Sequence, residues 1–180
     1  MSETDNLEQK KLYNIYALFG VSLALCVVPS VSAAILCVIF FTWLLVAAYR
    51  GRNKAEEHSL THNHMIFIIR SIWVGVLISV ISTIIASLYM FQVIDYGAFN
   101  PCADVIAGKG IEALEAMGFS EFYALAQPCM EDFINFNYNA LVVSVLIAAG
   151  PVLLYLAFRF MKGVSRAVKG YRIADPKSWI

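Results

Sequence analysis

The chain has 180 residues, enough for one ordinary domain, yet 60% are hydrophobic and only 14% charged, with a mean hydropathy of +0.70. These values exclude an ordinary soluble domain and point to lipid as the main solvent. Thirteen Lys and Arg balance thirteen Asp and Glu, so net charge gives no ground for nucleic-acid binding, and 13% aromatic residues suit the interfacial belts of a membrane protein.

Met1 to Lys11 carries Glu3, Asp5 and Glu8 beside Lys10 and Lys11 and has no small-residue cleavage site, so the first helix is expected to remain as an anchor. A spanning helix needs about 20 mostly apolar residues. Three blocks qualify: Leu12 to Tyr49, Met65 to Ile94 and Phe136 to Phe160. The first would extend about 57 Å, nearly twice the hydrocarbon core. Pro29-Ser30 interrupts it where a turn would give two shorter helices. The chain is therefore expected to form one all-α integral membrane domain over residues 1–180, with helices at about 10–28, 31–49, 65–94 and 136–161. The four-helix bundle carries a cysteine-containing periplasmic loop at 95–135 and a cytoplasmic tail at 162–180, which opens with a basic amphipathic helix.

Charge fixes the expected orientation. Lys10, Lys11, Arg50, Arg52, Lys54, Arg70, Arg159, Lys162, Arg166, Lys169, Arg172 and Lys177 fall on one side of that topology, and only Lys109 falls on the other. By the positive-inside rule, both termini and the 50–64 connection face the cytoplasm of a bacterial inner membrane, and the 95–135 loop, with seven acidic residues, faces outward.

In the 50–64 connection, His58, His62 and His64 lie beside Glu56 and Glu57. On a helix His58 and His62 would share a face and could ligate one ion, but Glu57 does not complete a His-Glu-x-x-His pattern. A polar juxtamembrane loop without metal is the expectation, and bis-histidine haem would need histidines on two helices. Arg70 lies about one and a half turns inside the apolar block. It is expected to snorkel to the cytoplasmic interface with Trp73 as a belt residue, or to meet a carbonyl freed near Pro29 or Pro151, a tail carboxylate such as Asp175, or a bound anion. Ser71, Gly75, Ser79, Thr83 and Ser87 recur at intervals of four and predict a small-residue packing ridge; a hydroxyl-lined path is the alternative.

Cys26 and Cys37 lie inside predicted spans, whereas Cys102 and Cys129 each follow a proline in the outward loop. The latter two are expected to form a disulfide that stabilises a segment too small for much core, by roughly 3 to 4 kcal/mol on the chain-entropy model. Between them, Ile111 to Met117 and Ser120 to Ala126 read as short helices lying on the membrane or on a partner. In the last span, Ala140, Ser144 and Ala148 form a shorter small-residue face and Gly150-Pro151 a kink. Arg159, Lys162, Arg166 and Lys169 then fall at helical spacing, a face suited to the anionic headgroups of the inner leaflet.

The His64, Arg70 and Trp73 spacing resembles the Ser-His-Phe…Ile-Arg-Thr-Phe-Trp signature of a family of small bacterial inner-membrane proteins. That family is itself distantly similar to the pore-associated subunit of the chloroplast inner-envelope protein translocon. Arg159 to Gly163, Gly170-Tyr-Arg-Ile and Asp175-Pro-Lys-Ser-Trp179 resemble the family's Tyr-Arg…Gly…Gly-x-Pro-Ile…Pro-x-Ser-Trp ending. Asn63 and Ser71 stand where the pattern has Ser and Thr, and the 95–135 loop is longer than the family's short connection. The resemblance covers helices two to four and the tail, and implies a compact helical bundle.

No catalytic constellation and no cofactor motif is complete. The expected function is a non-enzymatic accessory or scaffold subunit of an inner-membrane complex, in contact with anionic lipids and another membrane protein. A transporter or channel component for a small solute or peptide, using Arg70 and the fourth helix, is the alternative. A metal enzyme using His58, His62 and His64 is a third reading.

Overall fold

A computed structural model describes residues 3–179, and among them the chain is helical with no strand. Helix α1 runs Glu3–Val27, α2 Val31–Lys54 and α3 Leu60–Val93; a 3₁₀ turn at Tyr96–Phe99 leads to α4 Asn100–Ala107, α5 Ile111–Glu115, α6 Phe119–Phe136 and α7 Tyr138–Val168. Of these, α1, α2, α3 and α7 are long and apolar enough to cross a membrane. The chain resolves into two compact units, residues 1–81 with 150–180, and residues 82–149.

Pro29 and Ser30 separate α1 from α2, with Ser30 extended at the N-cap of α2. Cys26 and Cys37, on either side of this turn, are paired at disulfide distance with their Cα atoms 5.5 Å apart. The sequence reading left that pair unmatched because it treated each cysteine inside its own span. Laying the two helices antiparallel about the turn brings them together.

The expected 50–64 connection contracts to residues 55–59, because helix does not stop where hydrophobicity does. Arg52 and Lys54 continue α2 into its last turn, where cations meet the negative end of the helix dipole. His58 takes a left-handed φ of 69° in the turn. The Ser59 hydroxyl then accepts from the His62 N–H at 3.1 Å and caps α3.

In the first unit the buried residues of α1 are Leu12, Tyr16, Phe19 and Ser22, a stripe at spacings of four, three and three. Leu12, Tyr16 and Phe19 meet Leu44 and Ala48 of α2, Met65, Phe67, Ile68 and Ile72 of α3, and Leu156 of α7 in one core. Phe19 makes edge-to-face contacts with Phe41 at 6.0 Å and Phe160 at 5.6 Å, each such pair contributing about 1 kcal/mol beyond its area. A Cβ at Gly75 would stand 3.0 Å from Leu156 Cδ2, so its lack of a side chain lets that leucine seat.

The small-residue ridge is not one face. Four residues of α-helix turn about 400°, so a row at intervals of four rotates by about 160° over sixteen residues. Ser71 and Gly75 are buried, Ser79 is half-buried, and Thr83 and Ser87 are exposed. Burial continues instead through Ser82 and Ala86, seven and eleven residues beyond Gly75, as a period near 3.5 requires.

The second unit has little interior. Between residues 95 and 136 only Cys129 is buried among the described side chains. Cys102 of α4 and Cys129 of α6 are paired at disulfide distance, Cα to Cα 5.6 Å. Phe99 stacks on Phe133 at 4.3 Å. Buried Asn137 clasps the backbone of Asp95, accepting from its N–H at 2.8 Å and donating to its carbonyl at 3.0 Å. Glu121 extends helix back to Phe119 by accepting from the Gly118 N–H, and α6 continues well past the expected end near Ala126.

Candidate functional site

At the basic end of the first unit, polar groups are gathered where an apolar core would be simpler. Asn63 and His64 occupy the first turns of α3 and are buried beside Thr61. The Asn63 carboxamide clasps Ile173 of the tail, donating from Nδ2 to its carbonyl at 3.0 Å and accepting its N–H at Oδ1 at 2.8 Å. An amide has a donor and an acceptor at the right separation to replace one rung of β-ladder, which serine at this position could not do.

His64 sits between α1 and the tail. Its Nε2 lies 3.1 Å from the Tyr171 carbonyl, which can only accept, so the ring proton is on Nε2. Nδ1 then accepts from the Tyr16 hydroxyl at 2.7 Å. Both nitrogens are committed, and the neutral ring is held by partners 48 and 107 residues away in sequence. Tyr16 lies against Gly163 of α7, where a Cβ would fall 2.5 Å from the tyrosine oxygen. Glycine is needed there for the close approach, not for its φ.

Arg159 departs from the expected lipid-facing row. It is 0% exposed, with Cζ 3.7 Å from the centre of the Phe67 ring and Nε donating to Ser71 Oγ at 2.8 Å. Ser71 in turn donates to the Phe67 carbonyl at 2.7 Å. Arg166 lies at nearly the same azimuth but about 10 Å further along the helix, and only there is the face open. Both Arg166 and Lys169 are exposed, whereas Lys162 is half-buried with Nζ 5.9 Å from the Phe158 ring. Arg159 Nη1 and Nη2 are buried without a hydrogen-bond partner, as are Arg70 Nε and the Tyr155 hydroxyl.

Arg70 is half-buried, with Cζ 4.9 Å from the Trp179 ring of the tail. Trp73 is exposed and donates from Nε1 to the Tyr49 hydroxyl at 3.0 Å, tying α3 to α2. Asn63, His64 and Arg70 thus strap the tail, at Ile173, Tyr171 and Trp179, across the start of α3, while Trp73 ties α3 to α2 instead.

The three histidines do not converge. His58 lies in the turn, His62 is half-buried with Nδ1 unpartnered, and His64 is fully engaged. No group of three metal-capable side chains lies together among the described residues. Sequence reasoning missed Tyr16, Asn63 and the burial of Arg159. For Tyr16 the signal was its place in the Leu12, Tyr16, Phe19 stripe; for Arg159 no local signal separates it from Arg166.

In the second unit, Phe119, Phe122, Tyr123, Met130 and Ile134 of α6 are exposed large apolar residues. At 100° per residue they fall within about 120° of arc on one face. Glu121, Glu131 and Asp132 lie on the other face. No family model, curated relative or solved structure matches this chain.

Proposed function

We propose that this chain is a non-enzymatic accessory subunit of a bacterial inner-membrane complex, presenting the disulfide-held segment between α3 and α7 to a neighbouring membrane protein in the periplasm. The observation that carries the reading is the uncovered face of α6, on which Phe119 is 86% exposed. An exposed apolar face, aromatic at Phe119, Phe122 and Tyr123 and aliphatic at Met130 and Ile134, is unusual on a free surface and suits a protein interface. Cysteine placement supports the orientation. Cys26 and Cys37 bracket the α1–α2 turn, the end of that hairpin away from Lys10, Lys11, Arg50, Arg52 and Lys54. In a chain with four crossings, Cys102 and Cys129 also fall opposite the cations, where oxidation persists.

Purification from native membranes in mild detergent tests the proposal. A stoichiometric partner is expected with the wild type, lost on Phe119→Ser/Tyr123→Ser and kept on Glu121→Gln. A chain that purifies alone, with α6 crosslinking only to lipid, sinks the reading.

One observation favours a second reading, a conduit for a small anionic solute: the buried, unpartnered Nη1 and Nη2 of Arg159 near Arg70. Liposome flux that is abolished by Arg70→Ala would shift the preference to it.

A further inference from the structure

An open recess of about 390 Å³ in the first unit is lined by Arg52 of α2, Ile66, Ile69, Arg70 and Trp73 of α3, and Lys177 of the tail. Three cations from three segments converge on it, and its lining contains no carboxylate. Among the described residues, none of the three has a carboxylate partner. Arg52 reaches only Asn53 Oδ1 and the Tyr49 ring, and Arg70 Nε is buried without any acceptor. Asp175, the nearest acid in the tail, has Oδ1 engaged by the Lys177 N–H. Gathering like charges around a half-apolar recess is unfavourable unless an anion completes it.

The depth of the recess says which kind of anion. From Thr61 to Ile72 no residue of α3 is exposed. Trp73 is the first, followed by the exposed side chains of Val76, Leu77, Val80, Ile81 and Ile84. Counted back from the polar exit at Gln92 and Asp95, about 20 residues of α3 cover the hydrocarbon thickness and reach Ile72, which puts Arg70 and Trp73 at the boundary between headgroups and acyl chains. The remaining lining, Ile66, Ile69 and Trp73, gives the recess an apolar wall continuous with that lipid-facing surface.

We propose that this recess is a binding site for the phosphodiester headgroup of one acidic phospholipid. The guanidinium groups of Arg52 and Arg70 and the ammonium of Lys177 take the phosphate oxygens, with the acyl chains running over Trp73 along α3. Guanidinium matches a phosphate with paired donors, and Trp73, fixed by its bond to Tyr49, supplies a rigid interfacial surface. Because Lys177 belongs to the tail, an occupied site also fastens the tail to α2 and α3. A free phosphate shares the charge chemistry but has no use for the apolar wall. The inference rests on the membrane reading but not on the proposed partner.

Native mass spectrometry of the full chain tests it, from micelles holding equal amounts of phosphatidylglycerol and phosphatidylcholine with matched acyl chains. One phosphatidylglycerol per chain should be retained in preference. Lys177→Gln, on the exposed tail, should lower that preference about fivefold, and Arg52→Gln/Lys177→Gln about fivefold again, as expected for one basic side chain each. Lys10→Gln/Lys11→Gln, which removes two exposed cations from α1, should leave it unchanged, and excess inorganic phosphate should not displace the lipid. Equal retention of both lipids, displacement by phosphate, or an equal loss in the Lys10/Lys11 variant overturns the site. A chain that stays outside liposome bilayers overturns the membrane reading with it, whereas an inserted chain without preference overturns the site alone.

Discussion

The basic end of the first unit and the cysteine segment of the second solve the same problem by different means. Each must hold a stretch of chain outside the long helices. At the basic end the tail is held by side chains: Asn63 on Ile173, His64 on Tyr171 and the Trp179 ring over Arg70, above a core in which Leu12, Phe19, Phe67 and Leu44 are fully buried. Between 95 and 136 only Cys129 is buried among the described side chains, and the work falls to the Cys102–Cys129 pair, the Phe99–Phe133 stack and the Asn137 clasp. Two asparagines, Asn63 and Asn137, perform the same two-bond grip on a backbone, one embedded in a packed core and one nearly alone. Packing spreads stability over many contacts, whereas a crosslink concentrates it in one bond.

The largest expected effect follows from that concentration. Cys102→Ser/Cys129→Ser should cost the segment roughly 3 to 4 kcal/mol of order on the loop-entropy model. Limited proteolysis should then cut rapidly between residues 100 and 136 while the long helices stay intact. If the double variant resists protease as well as the wild type does, the segment has a source of order other than its disulfide. Loss of partner binding in this variant, with partner binding kept in the tail variants, would sharpen the division of labour between the two regions.

An intermediate effect distinguishes the two asparagine grips. Asn63→Ala leaves the Ile173 N–H and carbonyl without partners in a buried place and should cost about 2 kcal/mol, read as a lowered melting temperature and faster cleavage after Gly170. Asn63→Ser, which supplies a smaller polar side chain, should recover less than half, since one hydroxyl cannot serve both groups. Asn137→Ala should cost less while the disulfide is intact and more once it is reduced, because the two devices act on the same segment. Equal losses in both redox states would show that the segment's order does not depend on the pair.

How far the sequence carried this picture depends on the range of the signal. Three apolar blocks and the Pro29-Ser30 break that divides the first located the four long helices, because hydrophobic length is a local property. The Cys102–Cys129 pairing was legible from the shared loop, but Cys26–Cys37 was not, because it needs the antiparallel placement of two helices. Helix ends in the 50–64 connection were misjudged since Arg50 to Lys54 are polar yet helix-compatible; polarity marks the edge of lipid, not the end of a helix. The motif residues were visible as a pattern. Their purpose was not: Asn63, His64 and Arg70 act on a tail more than 100 residues further on, and Tyr16 lies 48 residues before the histidine it meets. Arg159 and Arg166 look alike in sequence, and only the covering elements separate a buried guanidinium from an exposed one.

The smallest expected effect bears on the ridge that sequence spacing drew from Ser71 to Ser87. Its first two members are consumed inside the first unit, Ser71 by Arg159 and Gly75 by Leu156, so any role in binding a neighbour falls to Thr83 and Ser87, which are exposed. Ser87 spends its hydroxyl on the Thr83 carbonyl of its own helix at 2.8 Å and offers little to a partner beyond its small size. Ser87→Leu should therefore change the stability of the isolated chain by no more than about 0.5 kcal/mol, the usual range for an exposed position. Gly75→Val, by contrast, should be plainly destabilising, because its side chain meets Leu156. If Ser87→Leu instead removes a co-purifying subunit while leaving the melting temperature alone, the exposed half of the row is an interface that needs a close helix approach. In that case the partner engages the membrane span as well as the disulfide-held segment, and Phe119→Ser/Tyr123→Ser alone should weaken binding without abolishing it.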